Sequence, residues 1–454
     1  MENIVRFKPK RSGAFIDLRQ EGKKVRVDEQ SSQNFTQSQN QQITVELLSM
    51  QSPIPNISES IELKITNYSE DIRLINQGVI NRVEQAIKQT VNQNSLRYKQ
   101  IDAIIQIARN PNYERDTAVL GDVDGSYARL VLFLIATNRV IVKDDAVGKL
   151  LEILERECDP KQYKIETEQI WNTQSQELQT IFDNLTFVKN CPHQAIAIGD
   201  IVLDRQTVDP KKMVMLISAA KHVNSLNDED KKNLHFILGN HDCVKEILNQ
   251  IHLAKSELTE SLDKVKSVPG DKERIMGSIK QNISIINQYL GPVLHLRENP
   301  LSIDFTVYNK VIEEVNALQD INLASIFERC YYDETNKVFY IHNGMIQLSQ
   351  QDASSKIKVK TVFGEFEADS IENLASQINN TKEININEFI QFRPNTDADQ
   401  YQQMIDLAES LKSRIVYGHQ TADVKKIKRK EDPRLICTDK TAVVVKPLGL
   451  QPRE

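Results

Sequence analysis

The chain has 454 residues, of which 40% are hydrophobic and 26% are charged. This length allows about three domains, or one large catalytic domain with insertions, and it is enough chain to bury a sizeable core. The formal net charge of −6 argues against a protein that binds nucleic acids through its net charge. An aromatic content of 6% also argues against a platform for stacking bases, so we expect no nucleic-acid partner.

Cysteine usage and the lack of long apolar stretches predict a cytoplasmic protein. The five cysteines are scattered and include no CxxC pair, which is typical of reduced thiols. The first residues contain no apolar core of a secretory signal, and the longest apolar stretch, at 130–136, is far too short to cross a membrane. We therefore expect neither a signal peptide nor a membrane span.

Residues 1–110 are predicted to form an N-terminal extension. Within it, residues 30–42 are a polar, low-complexity stretch that cannot bury apolar area, so we expect a linker or a disordered loop there. Isoleucine and valine residues at helical spacing predict a helix over 78–108, with a break near Arg97 and Tyr98.

Residues 111–445 are predicted to form one catalytic domain, which the tail 446–454 follows. Five short apolar runs in this domain end in Gly-Asp, Gly-Asn or His, and each predicts a buried strand that delivers polar side chains into a loop. The runs are TAVLGDVDGS (117–126), AIAIGDIVLDR (195–205), HFILGNHD (235–242), VFYIHNGM (338–345) and RIVYGHQ (414–420). Ligands of α/β proteins bind at the carboxyl ends of strands, so these loops are the predicted site.

Two helical insertions are expected in this domain, at 150–190 and at 244–290. The second has apolar residues at helical spacing on both sides of Pro269 and Gly270, which predicts a helical hairpin. Its apolar positions need a neighbour to cover them. We favour packing of the two arms against each other, and a surface for a partner protein is the alternative.

Six polar residues at the strand ends are of the types that bind divalent metal ions. They are Asp122, Asp124, Asp200, Asn240, His342 and His419. Carboxylates, an amide oxygen and imidazoles suit Mn²⁺, Fe²⁺ or Zn²⁺, whereas the two histidines argue against a calcium site. A shared carboxylate can also bridge two ions, in the arrangement used for displacement at phosphorus.

Together the motifs resemble those of the calcineurin-like metallophosphoesterases, and within them the phosphoprotein phosphatase family of Ser/Thr phosphatases. The family pattern runs GDxHG, GDxxDR, GNHE or GNHD, an HG-containing motif and GH. The chain carries, in the same order, GDVDG (121–125), GDIVLDR (199–205), GNHD (239–242), HNG (342–344) and GH (418–419). The resemblance extends over residues 115–440 and implies an α/β sandwich of two mixed β-sheets, flanked by helices and carrying the helical insertions.

The resemblance also implies a two-metal centre, with Mn²⁺ as the expected ion and Fe, Zn or Mg as alternatives. Such a centre hydrolyses phosphomonoesters by attack of a hydroxide that the two ions share. The implied ligands are Asp122 and Asp124 for the first ion, Asp200 as the bridge, and Asn240, His342 and His419 for the second ion.

Catalytic and substrate-binding roles follow from the same resemblance. His241 would be the general acid that protonates the leaving oxygen, and Asp204 would orient it. Arg205 would bind phosphate oxygens, because a guanidinium fork matches phosphate geometry. Arg393, in FRPN, would be the second phosphate-binding arginine, and Asn240 would also face the substrate. The expected partner is a phosphorylated protein, with phosphoserine, phosphothreonine and phosphotyrosine left open.

Two departures from the family pattern shape these expectations. Asp124 stands where the family has His, which makes the first metal site more anionic and favours harder ions such as Mn²⁺ or Mg²⁺. GDIVLDR has one more residue between its aspartates than GDxxDR, so its loop must bulge to keep Asp204 and Arg205 in place. The departures favour a divergent bacterial member, similar to effectors that intracellular bacteria deliver into host cells by routes other than a signal peptide.

A second enzyme class stays open as an alternative. DVDGS (122–126) and GDIVLD (199–204) also resemble motifs of the haloacid-dehalogenase phosphatases. In such an enzyme Asp122 would be the nucleophile and Asp124 the acid, with one Mg²⁺. This resemblance leaves GNHD, HNG and GH unexplained, and Lys189 is the only nearby candidate for its required lysine.

A third alternative is a binding module that kept the fold and lost the activity. His241, Asp204 and Arg205 are needed together only for turnover, and the chain retains all three. Their joint presence argues for an active enzyme.

Overall fold

The computed structural model of the chain describes residues 5–9, 16–18, 41–46, 60–110, 116–159, 165, 167–267, 272–290, 305–318, 326–348, 356–381, 398–418, 432–438 and 441–447. Its strands are β1 Val5–Pro9, β2 Ile16–Leu18, β3 Gln41–Glu46, β4 Ser60–Asn67, β5 Thr117–Leu120, β6 Val140–Val142, β7 Leu185–Lys189, β8 Gln194–Ile198, β9 Leu234–Ile237, β10 Cys330–Asp333, β11 Val338–Ile341, β12 Ile346–Gln347, β13 Ile357–Thr361, β14 Gly364–Ala368, β15 Arg414–Tyr417, β16 Leu435–Cys437 and β17 Ala442–Val445. Its helices are α1 Glu70–Thr90, α2 Leu96–Ala108, α3 Tyr127–Ala136, α4 Asp144–Cys158, α5 Glu168–Asp183, α6 Pro210–Ser225, α7 Val244–Ser267, α8 Lys272–Leu290, α9 Thr306–Ala317, α10 Ile371–Asn379 and α11 Ala398–Ser410. The predicted α/β class is confirmed.

Two four-stranded sheets carry the motif loops. Their strand orders are β17-β5-β8-β9 and β10-β11-β15-β16. In the first, β5, β8 and β9 are parallel neighbours, with Leu120 opposite Ala197 and Ala197 opposite Phe236. In the second, β11 is parallel to β15 and β15 is parallel to β16. Because parallel strands end at the same edge of a sheet, the loops after these strands lie side by side.

The two sheets face each other across one buried apolar cluster. Its members are Val119, Ile196, Ile198, Ile237 and Val445 from the first sheet and Val338, Tyr340 and Val416 from the second. The backbone also joins the sheets at one edge, where Glu328 accepts from Leu238 N at 2.8 Å and donates to Phe236 O at 2.9 Å. This packing fixes the strand ends of the two sheets relative to each other.

The N-terminal segment shares a sheet with the region around the first insertion. The third sheet has the order β2-β1-β3-β4-β7-β6, in which β4 pairs in parallel with β7 and places Ile65 opposite Phe187. Strand β3 includes Gln41 and Gln42, the last residues of the predicted linker. Helices α4 and α5 and strand β7 occupy most of 150–190. Strand β4, from the N-terminal segment, and strand β7, from the first insertion, therefore belong to one sheet.

Two helices replace the single helix predicted over 78–108. Helix α1 ends at Thr90 and α2 begins at Leu96, so the break precedes Arg97 and Tyr98. The cause is local, because the Ser95 side chain accepts from Tyr98 N at 3.1 Å and caps a new helix. The new start places Arg97 in the first turn of α2.

Helices α7 and α8 form an antiparallel pair over 244–290. Their buried apolar residues include Ile251, Leu258, Ile279 and Ile286, and Tyr308 of α9 is buried in the same core. The apolar face of the hairpin is thus covered within the chain. In the part of the chain that is described, no helix is long and apolar enough to cross a membrane.

Candidate metal centre

Four predicted ligands meet where the strands of the two sheets end. Asp122 follows β5, Asp200 follows β8, Asn240 follows β9 and His342 follows β11. All four side chains are buried, with 0% to 3% of their surface exposed. The loops are also tied together by backbone hydrogen bonds, since Val123 N donates to Gly199 O at 3.2 Å. The strand ends therefore deliver these four residues to one point.

His342 lies at the centre of this group. Its Nδ1 is 3.7 Å from Asp122 Oδ1, and its Nε2 is 3.5 Å from Asp200 Oδ1 and 3.2 Å from Asn240 Oδ1. One ligand atom from each of Asp122, Asp200 and His342 lies within 4.8 Å of the others. Two buried carboxylates and an imidazole at these distances form a donor set that suits a divalent ion. These residues can hold a metal ion.

Glycines beside the ligands are required by the close approach of the backbone. A Cβ at Gly199 would lie 2.0 Å from His342 Nδ1, and one at Gly418 would lie 2.5 Å from Asp122 Oδ1. Gly199 also has a φ of +74°, in the left-handed region that favours glycine. Asp200 has a positive φ of 54°, a conformation that costs on the order of 1–3 kcal/mol for a non-glycine residue. The loop is shaped to aim Asp200 at the centre.

We expect Gly199→Ala to disrupt the metal centre and to destabilise the chain by more than about 1 kcal/mol. The new methyl group would collide with His342, and the positive φ of residue 199 is unfavourable for alanine. Gly277→Ala is the matched control, since Gly277 lies in α8 with open space around it and alanine there favours the helix. Thermal unfolding with and without Mn²⁺ measures both effects. Equal stability and an equal response to Mn²⁺ in the two variants would show that the Gly199 contact is unimportant.

Asp242, which the sequence analysis did not single out, connects two of the ligand loops. Its Oδ1 accepts from Ile201 N and Val202 N, both at 2.7 Å, and its Oδ2 accepts from Gly239 N at 2.8 Å. Burial and the nearby Asp200 raise the pKa of Asp242 to about 7, although the three hydrogen bonds favour the ionised form. Asp242 thereby fixes the loop after β8 against the loop after β9.

His241 and Asp204 form a buried pair next to the ligands. His241 Nδ1 donates to Leu203 O at 3.0 Å and lies 3.4 Å from Asp204 Oδ1. The His241 backbone N–H donates to Asp200 Oδ1 at 3.1 Å. This contact with Asp204 is the one predicted from the GDIVLDR and GNHD motifs, and the longer loop still brings Asp204 to His241.

Electrostatics favour a proton on His241. Burial opposes the charged imidazole, but the Asp204 and Asp200 carboxylates outweigh it and raise the pKa of His241. Burial raises the pKa of Asp204 to about 6, and its Oδ2 has no hydrogen-bond partner in the described part of the protein. Ligand atoms of Asp200, Asp204 and His241 also lie within 4.8 Å of one another. The pair can donate a proton, and the group can also bind a cation.

The structure does not bring Asp124 into either group of ligand-type residues found in the described ranges. Its carboxylate instead accepts from Arg97 at 2.7 Å, from Arg205 at 3.2 Å and from Arg129 at 3.3 Å. Burial opposes ionisation, but the three arginines together hold the pKa of Asp124 well below its usual range. The motif alignment placed Asp124 by its position in GDVDG and gave no information on these arginines.

Two predicted site residues, His419 and Arg393, lie outside the described residues. Gly418, which precedes His419, donates from its backbone N–H to His342 O at 2.9 Å. Arg205, the other predicted phosphate-binding arginine, lies beside Asp204 and has 46% of its side chain exposed.

Tyr289 was missed by the sequence analysis and comes from the helical hairpin. Its ring centroid is 5.1 Å from that of His241, and its hydroxyl donates to Gln250 Oε1 at 2.7 Å. Burial, with Asp200 and Asp204 nearby, raises the pKa of Tyr289 to about 12.

Comparison of the chain with protein-family models, with curated proteins and with solved structures finds no match.

Proposed function

We propose that the chain is a metal-dependent phosphatase that hydrolyses phosphomonoesters on proteins. The observation that carries the proposal is the buried group of Asp122, Asp200 and His342 beside the His241–Asp204 pair. A site that holds a cation next to a proton donor has the parts needed to transfer a phosphoryl group to water. The two facing four-stranded sheets support the proposal that the fold is a metallophosphoesterase sandwich.

The proposed centre holds two divalent ions, with Mn²⁺ preferred over Fe, Zn and Mg. Asp200 would be shared, Asn240 and His342 would hold one ion together with His419, and Asp122 would hold the other. An ion with few protein ligands keeps room for phosphate oxygens and water, as Mg²⁺ and Mn²⁺ sites do. When bound, such ions polarise the phosphoryl group and supply the nucleophile at neutral pH.

The chain's own residues would perform the remaining steps. His241 uses Nδ1 to bond Leu203 O, which leaves Nε2 to protonate the leaving oxygen of the substrate. Asp204 holds the imidazole in place and stabilises its charged form. Arg205 would neutralise charge on the phosphoryl oxygens, because its side chain is partly exposed beside Asp204. We propose that Arg393 is a further residue that binds the phosphate. We propose that the substrate is a phosphorylated protein in the cytoplasm of a bacterium or of its host.

Phosphate release from peptides carrying phosphoserine, phosphothreonine or phosphotyrosine tests the proposed function. We expect Mn²⁺-dependent release from at least one class, without a stable phosphoenzyme. Acid-stable phosphate trapped on Asp122 would instead establish the haloacid-dehalogenase alternative. A metal-loaded chain that releases phosphate from none of the peptides would favour the inactive binding module.

A further inference from the structure

Asp124 lies at the centre of an arginine cluster, which we define as Arg97, Arg129, Arg205 and Asp124. Three guanidinium groups share the single Asp124 carboxylate, and Asp204 offsets part of the excess by accepting from Arg205 Nε at 3.1 Å. Within the cluster as defined, three guanidinium groups face one carboxylate, and the buried Glu157, which interacts with Arg97 and Arg129, offsets a further part of their charge. Guanidinium groups gathered in this way can attract an anion through their N–H donors even in a chain whose net charge is negative.

The three arginines differ in exposure. Arg129 is 1% exposed, and its Nη1 and Nη2 donate at 2.7 Å to Gln100 Oε1 and to Asp122 O, so its role is internal. The side chains of Arg97 and Arg205 are 20% and 46% exposed. Only these two members of the cluster can reach a ligand from solvent.

Arg97 is held in a fixed orientation. Its Nη1 donates to Gln100 Oε1 at 2.8 Å and to Asp124 Oδ2 at 2.7 Å. With the Gln206 amide oriented so that its oxygen faces Arg97, that oxygen accepts from Nε and Nη2 at 2.7 Å. A guanidinium fixed in this way loses little further conformational freedom when it binds an anion.

Arg205 is held by the same carboxylate from the other side. Its Nη2 donates to Asp124 Oδ1, whereas Arg97 and Arg129 donate to Oδ2. Asp124 thus brings together an arginine from α2 and an arginine from the loop after β8. Arg97 precedes the region of the family resemblance, so the motifs could not have indicated it.

We infer that Arg97 and Arg205 form a two-arginine site for the phosphoryl group of the substrate, and that Asp124 positions these arginines and does not bind metal. The inference rests on the proposed function and adds a substrate-binding residue from the N-terminal segment. With these contacts kept, Arg97 retains one N–H of Nη2 and Arg205 retains the two N–H groups of Nη1, so each arginine can donate to an oxygen of a doubly charged phosphomonoester.

Binding of inorganic phosphate to the full-length, Mn²⁺-loaded protein tests the inference, with bound Mn²⁺ measured in the same samples. We expect Arg97→Ala to weaken phosphate binding about 10- to 100-fold, the range that corresponds to a lost charge-assisted hydrogen bond, and to leave Mn²⁺ binding unchanged. Arg97→Lys, which keeps the charge and loses the fork, should weaken it less. Arg109→Ala is the control. Arg109 directly follows the last residue of α2 and pairs with Glu84 outside the arginine cluster, and Glu84 keeps Lys88 as a partner when Arg109 is removed.

Asp124→Asn separates the positioning role from a metal-binding role. We expect weaker phosphate binding with unchanged Mn²⁺ affinity, whereas a loss of Mn²⁺ would overturn the inference. Equal phosphate binding in the wild type and Arg97→Ala, or none in the wild type, would also overturn it. Phosphate binding through Arg97 without hydrolysis of any phosphomonoester would support the inference and refute only the proposed function.

Discussion

Asp200→Asn should reduce Mn²⁺ binding and lower phosphatase activity by at least about 100-fold, because a carboxylate at the shared position is lost. Asp200 Oδ1 lies 3.5 Å from His342 Nε2 and also accepts a hydrogen bond from His241 N. A single oxygen of Asp200 therefore contacts both the ligand His342 and the backbone of the proposed acid. Asparagine has nearly the same shape and tolerates the positive φ of this position, so the loop should keep its conformation.

Asp209→Asn is the matched control for this variant. Asp209 is buried and caps α6 by accepting from Lys212 N at 3.1 Å, a role that asparagine performs equally well. We expect it to bind Mn²⁺ and turn over like the wild type. An Asp200→Asn protein that folds, binds Mn²⁺ with wild-type affinity and retains full activity would remove Asp200 from the centre.

His241→Ala should lower kcat on a phosphopeptide by about 10²- to 10⁴-fold, the usual contribution of a general acid. The alkoxide of serine or threonine is a poor leaving group and needs a proton, whereas p-nitrophenolate hardly needs one. The loss should therefore be much smaller on p-nitrophenyl phosphate. Comparison of kcat on the two substrates measures this difference.

His252→Ala is the control for the His241 variant, because His252 is exposed on α7. It should match the wild type on both substrates. If His241→Ala slowed both substrates equally, the imidazole would bind metal or support the fold and would not act as a proton donor. Undiminished turnover of the phosphopeptide would refute any role for His241 in catalysis.

The strand ends were predictable because their signal is local. Each apolar run before a Gly-Asp, Gly-Asn or His step became a buried strand, and β5, β8, β9 and β11 converge on Asp122, Asp200, Asn240 and His342. Parallel pairing brings the loops after β5, β8 and β9 together, and the packing of the second sheet adds the loop after β11. The pairing of His241 with Asp204 was implied by the family resemblance, and the two side chains lie 3.4 Å apart.

Contacts between distant segments could not be predicted from local patterns. Arg97 reaches Asp124 only because the Ser95 cap starts a new helix and α2 packs against α3 and β17. Tyr289 reaches His241 only through the length and packing of α7 and α8. The parallel pairing of β4 with β7 likewise joins strands that are far apart in the chain, and no motif in the sequence indicates it. Motif position alone therefore placed Asp124 among the metal ligands, and its arginine partners became visible only in the folded chain.

The central claim is that a metal centre at the strand ends hydrolyses phosphomonoesters. Its most direct test is a titration of metal-free protein with Mn²⁺, in which bound metal and phosphate release from a phosphopeptide are measured in the same sample. We predict that release rises with bound Mn²⁺, approaches its maximum near two ions per chain and stops when a chelator removes the metal. Release that persists in fully metal-free protein, or full metal loading without any release, would contradict the claim.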